Sequence, residues 1–273
     1  MQPKIVFLGT GGARFVVAKQ FRATGGFVLQ YGNEQIHIDP GPGALVRARQ
    51  FDVDIEKNTA VLVSHDHLDH CNDVNAVIDA MTKGGITKKG VLIAAKPVVK
   101  GTKDKYPYLT TYHAKCIPKI VIAEPGKRTS LNNISITPTK AKHDAPGTVG
   151  FKIITPKFTL GYTSDTEYFE DLKKIYNGVR LLIASVTRPT NMKIPYHLCT
   201  EDVIYMLKDM KQRPEMLIMS HIGMKMHFAN PYKEAKFIEN VTGVKTLVAK
   251  EGFKVKMEKT DIKLRTLRPA REL

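Results

Sequence analysis

The chain predicts an α+β fold, a four-layer αββα sandwich in which two sheets pack face to face with helices outside. Three observations lead there. Apolar runs of strand length follow one another from residue 4 to residue 64, then comes a His-rich loop with a helical pattern, then strands and helices again. With 42% hydrophobic residues, the 273-residue chain can bury a sizeable core. No linker, repeat or low-complexity tract divides it, so one domain over residues 1–273 is expected.

Each element has its own signal. Lys4 to Leu8 reads as a strand, broken by Gly9-Thr10-Gly11-Gly12. Phe27 to Tyr31 and Gln35 to Asp39 flank Gly32-Asn33, a hairpin signal. Pro40-Gly41-Pro42-Gly43 stops the second strand, and Ala44 to Phe51 can form a helix. Thr59 to Ser64 is a short β-branched strand. Asp73 to Met81 sets Val74, Val77, Ile78 and Met81 on one helical face. Val91 to Ala95 and Lys119 to Ala123 are strands, and Lys96 to Pro118 between them is a segment rich in Lys and Tyr. Ile134 to Pro138, Gly150 to Thr155, Phe158 to Thr163 and Leu181 to Val186 are further strands, with a turn at Pro156-Lys157. Thr200 can cap a helix through Met210, with Glu201 and Asp202 suitably placed in its first turn. Met216 to Ser220 is a strand ending at His221. Asn230-Pro231 opens a helix that Gly243 closes. Thr246 to Ala249 and Phe253 to Met257 complete the core, and the tail beyond is basic.

Lys and Arg total 42 against 26 Asp and Glu, a formal charge of +16. That surplus suits a solvated surface and equally the attraction of a polyanion such as nucleic acid. Cys71, Cys116 and Cys199 are few, odd in number and far apart, which argues against a disulfide framework and for a reducing cytoplasm. The first residues hold too short an apolar stretch for a signal peptide. No apolar run approaches the roughly 18 residues of a membrane helix, so a cytoplasmic location away from membranes is expected.

Ser64 to His70 reads Ser-His-Asp-His-Leu-Asp-His and follows an apolar strand. Its His65, His67, Asp69 and His70 are four potential metal ligands in six positions, a density that imidazole and carboxylate donors rarely reach without a metal. His143, Asp165 and His221 each come just after an apolar strand, so all can converge at one sheet edge. Asp39 ends a strand before Pro-Gly, as a turn residue or as support for a ligand His.

On these residues the chain resembles the metallo-β-lactamase superfamily over essentially its whole length. Gly9-Thr10-Gly11-Gly12 with Asp39, the His65 to His70 string, His143, Asp165 and His221 match in order, and Val248 to Val255 is similar to that family's final strand pair. The resemblance implies two divalent metal ions, Zn²⁺ first, with Mn²⁺ or Fe as alternatives. His65, His67 and His143 would bind one, Asp69, His70 and His221 the other, with Asp165 bridging them. Asp66 and Leu68 are then spacers. Such a pair clamps a phosphate and activates water. Pro195 to Thr200 resembles the His-x-Thr element of the phosphodiesterase branch, which includes ribonuclease Z, although two residues separate His197 from Thr200. Asp69 and His197 are the expected catalytic residues, His197 in acid–base chemistry at the phosphate.

The resemblance therefore implies a metal-dependent hydrolase, a phosphodiesterase acting on RNA or on a small or cyclic phosphodiester. Ribonuclease Z enzymes insert a long tRNA-binding arm between the positions matching His143 and Asp165. Here 21 residues lie between them, closer to the small armless phosphodiesterases. Lys96, Lys100, Lys103 and Lys105 precede Tyr106, Tyr108 and Tyr112, a mixture suited to gripping a backbone and stacking bases. Arg14 and Arg22 near the Gly-rich turn are weaker candidates for phosphate. Two alternatives stand beside this reading: a thioesterase or lactonase on the same fold, and a non-catalytic nucleic-acid-binding relative. A homodimer is compatible with either.

Overall fold

The computed structural model describes residues 2–258 and 261–267. From the N-terminus run β1 (Lys4–Gly9), α1 (Arg14–Lys19), β2 (Thr24–Tyr31), β3 (Glu34–Ile38), α2 (Ala44–Gln50), β4 (Ala60–Val63), α3 (Leu68–Cys71), α4 (Val74–Thr82), β5 (Val91–Ala94), α5 (Lys96–Lys100), α6 (Thr111–Cys116) and β6 (Lys119–Ile122). Then come β7 (Thr129–Leu131), β8 (Ile134–Lys140), β9 (Val149–Thr155), β10 (Phe158–Tyr162), α7 (Leu172–Ile175), β11 (Leu181–Arg188), β12 (Leu198–Cys199) and α8 (Thr200–Lys208). The rest carries β13 (Met216–Ser220), α9 (Met224–Phe228), α10 (Pro231–Thr242), β14 (Lys245–Val248), β15 (Phe253–Met257) and β16 (Ile262–Thr266).

These strands form two sheets, one ordered β16-β15-β1-β2-β3-β4-β5-β6 and the other β14-β13-β11-β10-β9-β8-β7, with β12 beside β11. Side chains alternate across each strand. Ile5, Phe7, Leu29, Ile38 and Leu62 of the first sheet therefore meet Ile136, Phe151, Leu160, Ile183 and Ile218 of the second. Val6, Leu8, Val61 and Val63 point the other way, onto Ala44, Ala48, Val77 and Met81 of α2 and α4. Leu182, Ala184 and Met219 likewise meet Val203, Met206 and Ile238 of α8 and α10. The expected four-layer αββα sandwich is thus present. Strands covered on both faces explain the unbroken apolar runs at 60–63 and 181–186.

The differences lie in short elements. Helices α1, α5, α6, α7 and α9 span four to six residues, too few for a helical period to show. Two of them, α5 and α6, occupy the Lys- and Tyr-rich segment. Part of the basic tail is β16, whose Ile262 and Leu264 turn inward to the core. Cys199 rather than Thr200 caps α8, and the Asp202 carboxylate reaches back to accept from the Cys199 N–H at 3.2 Å. No helix among the described residues is long and apolar enough to cross a membrane.

Strands β3 and β4 run parallel, as do β10, β11 and β13. Their C-terminal ends therefore open at one edge of the sandwich, and the loops that leave them carry Asp39, the His-rich string, Asp165 and His221.

Candidate metal centre

The seven expected ligands come together at this edge. One donor atom each from His65, His67 and His143 lies within 4.8 Å of the others, and the same holds for Asp69, His70 and His221. Asp165 stands between the two groups. Its Oδ2 is 3.9 Å from His143 Nε2 on one side, and 3.2 Å and 3.8 Å from the Nε2 atoms of His221 and His70 on the other. Two further groupings overlap with these, His65 with His70 and Asp165, and His143 with Asp165 and His197.

The hydrogen bonds behind the imidazoles decide which nitrogen faces the centre. His143 Nδ1 donates to the Tyr196 carbonyl at 3.1 Å, because a carbonyl only accepts. The Ser64 hydroxyl gives its proton to Asp39 Oδ2 at 2.7 Å, so at 3.0 Å it accepts from His65 Nδ1. His70 Nδ1 donates to Asp39 Oδ2 at 2.8 Å. Each ring then turns Nε2 inward, and a neutral imidazole keeps its lone pair there. Nε2 of His65, Nε2 of His70 and Oδ1 of Asp165 are buried and have no hydrogen-bond partner. Buried polar atoms without partners are costly, and a cation among them would satisfy them. The donor set therefore fits divalent metal ions.

Electrostatics point the same way. Burial works against charge on His70, but Asp69, Asp165 and Asp39 outweigh it and push the imidazole up to about 10. Burial likewise opposes ionisation of Asp165, yet His221, His70, His197 and His143 bring its carboxyl down to about 2. Asp69 is also held far below its usual range, by His70, His221 and the Ala13 N–H against its burial. His65 goes the other way: burial first, then neighbouring imidazoles, keep it neutral. The centre thus pairs buried carboxylates with imidazole donors and attracts positive charge.

Local backbone supports this arrangement. Ala13, Asp39, Ser164, Tyr196 and His221 all have positive φ, between 51° and 67°, conformations that cost non-glycine residues stability. At Gly12 a Cβ would lie 2.1 Å from the His221 ring, so only glycine lets this loop pass. Ala13 N–H donates to Asp69 Oδ2 at 2.9 Å, and Glu251 accepts from Thr10 Oγ1 at 2.8 Å and Ala23 N–H at 3.1 Å. The Gly-rich turn and the final strand pair are thereby joined at the rim.

His197 is delivered by the turn before β12. Its Nδ1 is 3.6 Å from Asp165 Oδ2, and its ring centroid is 5.1 Å from that of His143. Burial holds the imidazole down to about 4, against the opposing pull of Asp165. Lys105 reaches the same region by pairing with the buried Asp66 at 3.0 Å, so that spacer residue anchors a basic loop. Tyr106 beside it is 95% exposed. Lys96, Lys100 and Lys103 are exposed, with no ion pair among the described residues. Cys71, next to His70, points into the apolar layer under α4.

Several contributors carried no sequence signal. Tyr162 donates to Asp39 Oδ2 at 2.7 Å from 123 residues away. Thr187 Oγ1 sits 3.1 Å from His221 Nδ1, and Asp144 Oδ1 is 3.1 Å from His143 Nε2. Only the adjacency of Asp144 to His143 and of Ser64 to His65 was visible in the sequence.

An αββα sandwich with this His/Asp cluster at one sheet edge defines a metallo-β-lactamase-type protein, for which divalent metal binding is implied. The chain belongs to the beta-lactamase superfamily, whose domain matches residues 34–222. It is 37% identical over 257 residues to an uncharacterised protein of Methanocaldococcus jannaschii, covering 94% of this chain and 96% of that one. Ribonuclease Z of Borreliella afzelii is 23% identical over 294 positions, covering 87% of this chain and 89% of that enzyme. The crystal structure of the metallo-beta-lactamase fold protein YhfI from Bacillus subtilis superposes with a TM-score of 0.77 at 20% identity, covering 94% of this chain and 100% of that one.

Proposed function

We propose that this chain is a metal-dependent hydrolase that cleaves phosphodiesters at a two-cation centre. The observation that carries the reading is His197, set against Asp165 where the two ligand triplets meet. His65, His67 and His143 would hold one divalent cation and Asp69, His70 and His221 the second, with Asp165 available to both. Imidazole and carboxylate donors without thiolate suit Zn²⁺, with Mn²⁺ or Fe as alternatives. Bound there, the cations neutralise phosphate charge and lower the pKa of water.

The chain's own residues supply orientation and proton transfer. Asp39, Ser64, Thr187 and the Tyr196 carbonyl hold the ligand rings in place. His197 donates a proton to the leaving oxygen. Buried as it is, it keeps that proton only beside additional negative charge, which a phosphodiester in the cleft provides. A ribonuclease Z among the relatives supports RNA as one substrate, and we assign Lys105, paired with Asp66 beside the ligand string, to its phosphates.

The test is hydrolysis of an activated phosphodiester by protein loaded with Zn²⁺ or Mn²⁺, together with metal analysis. Two metals per chain are expected. His197→Ala should lower kcat by about 10²–10⁴-fold at unchanged metal content. Cleavage of a thioester or lactone with no phosphodiester hydrolysis would overturn the assignment, and a chain that binds less than one metal would favour a purely binding role.

A further inference from the structure

Strand register gathers cations on one outer sheet face, away from the metal centre. Lys4 pairs directly with Lys256, Lys256 with Lys263, and Lys254 with Arg265. Directly opposed residues share a face, so five cations stand on β1, β15 and β16. Their alternates Ile5, Val255, Met257 and Ile262 point into the core. The face is open at one end, where Lys256, Lys263 and Arg265 are exposed and Lys4 and Lys254 are half-buried, whereas Val6 and Leu8 further along β1 lie under α2. The patch continues into a groove of 740 Å³ where Lys4 and Lys256 meet Lys57, Lys89 and Tyr31.

Neighbouring acids neutralise only part of this charge. Glu258 pairs with Lys263 at 2.8 Å and Asp54 with Lys57 at 3.5 Å, while Asp52 lies near Lys4, Asp261 near Lys263, and Glu34 lines the groove. Among the described residues, Lys4, Lys254, Lys256 and Arg265 have no ion-pair partner.

Two ordinary explanations fall short. Lysines that guard a sheet edge belong on the edge strand. Here β16 is the edge, yet three of the five cations lie on β15 and β1 inside it. A merely solvated surface has no need of like charges directly opposite each other, an arrangement that destabilises a sheet.

We propose that this face binds the phosphate backbone of a nucleic-acid strand, which makes the substrate a polymer rather than a small or cyclic diester; the substrate part of this inference rests on the phosphodiesterase reading. Charge complementarity selects the partner. The face carries rows of cations, with polar side chains and one tyrosine in the groove, and no exposed apolar wedge that a membrane surface would require.

The test uses the full chain and a quadruple variant, Lys254→Gln, Lys256→Gln, Lys263→Gln and Arg265→Gln, with circular dichroism to confirm folding. A 20-nucleotide RNA is titrated at several salt concentrations, and anionic phospholipid vesicles are tested in parallel. The variant should bind RNA at least about tenfold more weakly, with the slope of log affinity against log salt reduced by about 3. Its hydrolysis of a small activated phosphodiester should be unchanged. RNA binding with wild-type strength and slope overturns the proposal, as does a loss confined to vesicle binding. Should neither protein hydrolyse the small diester, the catalytic reading fails while the RNA titration still decides the binding face.

Discussion

Asp39 receives four donors: the Ser64 N–H on Oδ1, and the Ser64 hydroxyl, the Tyr162 hydroxyl and His70 Nδ1 on Oδ2. One carboxylate thereby sets the rings of two metal-ligand candidates, His70 directly and His65 through Ser64. Asp39→Asn replaces one acceptor oxygen with an NH₂ group that faces donors. The expected outcome is a folded protein whose metal affinity falls about 10–100-fold, measured by competition with a chromophoric chelator. Unchanged affinity would show that the rings are held by other means. At this scale the candidate ligands are legible in the sequence, because His and Asp after an apolar strand are unusual. It displayed their supports poorly. Tyr162 and Thr187 look like ordinary strand residues, and their roles exist only across the two sheets.

Long elements followed their sequence signals closely. In α10 the Asn230 side chain accepts from the N–H groups of Tyr232 and Lys233, Pro231 follows it, and Gly243 closes the helix with φ of 73°. Asn230 itself has φ of 67°, a left-handed conformation. Asn230→Ala loses the cap and strains the backbone, so a loss of about 1–2 kcal/mol is expected in urea unfolding, while Asn230→Gly should cost less. An equal loss in both would mean that the cap rather than the backbone carries the whole effect. The short helices leave no signal in the sequence, for a physical reason. With one or two turns, α5 and α6 owe their conformation to packing on β5 and α4, not to intrinsic propensity.

For the whole molecule, stability should depend on pH through His37 of β3, which pairs with Val28 of β2 and Val61 of β4. His37 Nε2 donates to the Gly25 carbonyl at 2.8 Å, and its side chain is fully buried. Burial lowers its imidazole from 6.5 to about 4, with smaller opposing contributions from the Gly25 bond and from Asp39 and Asp73. Above pH 6.5 the ring is neutral in both states and costs nothing. As pH falls from 6.5 toward 4, the unfolded chain takes up a proton that the folded chain refuses, so stability drops by up to about 3 kcal/mol. Thermal unfolding should therefore fall more steeply over that window in the wild type than in His37→Gln. Parallel curves would rule out this source of acid sensitivity.

Ligand chemistry, the strands that precede each ligand and the layered architecture were determined by the sequence alone, since each is written in local pattern and residue type. Tertiary structure decided which nitrogen of His65, His70 and His143 turns inward, which distant side chains support those rings, and where the excess positive charge stands. These depend on contacts between distant segments. Lys4 and Lys256 lie at opposite ends of the chain and become neighbours only through the pairing of β1 with β15.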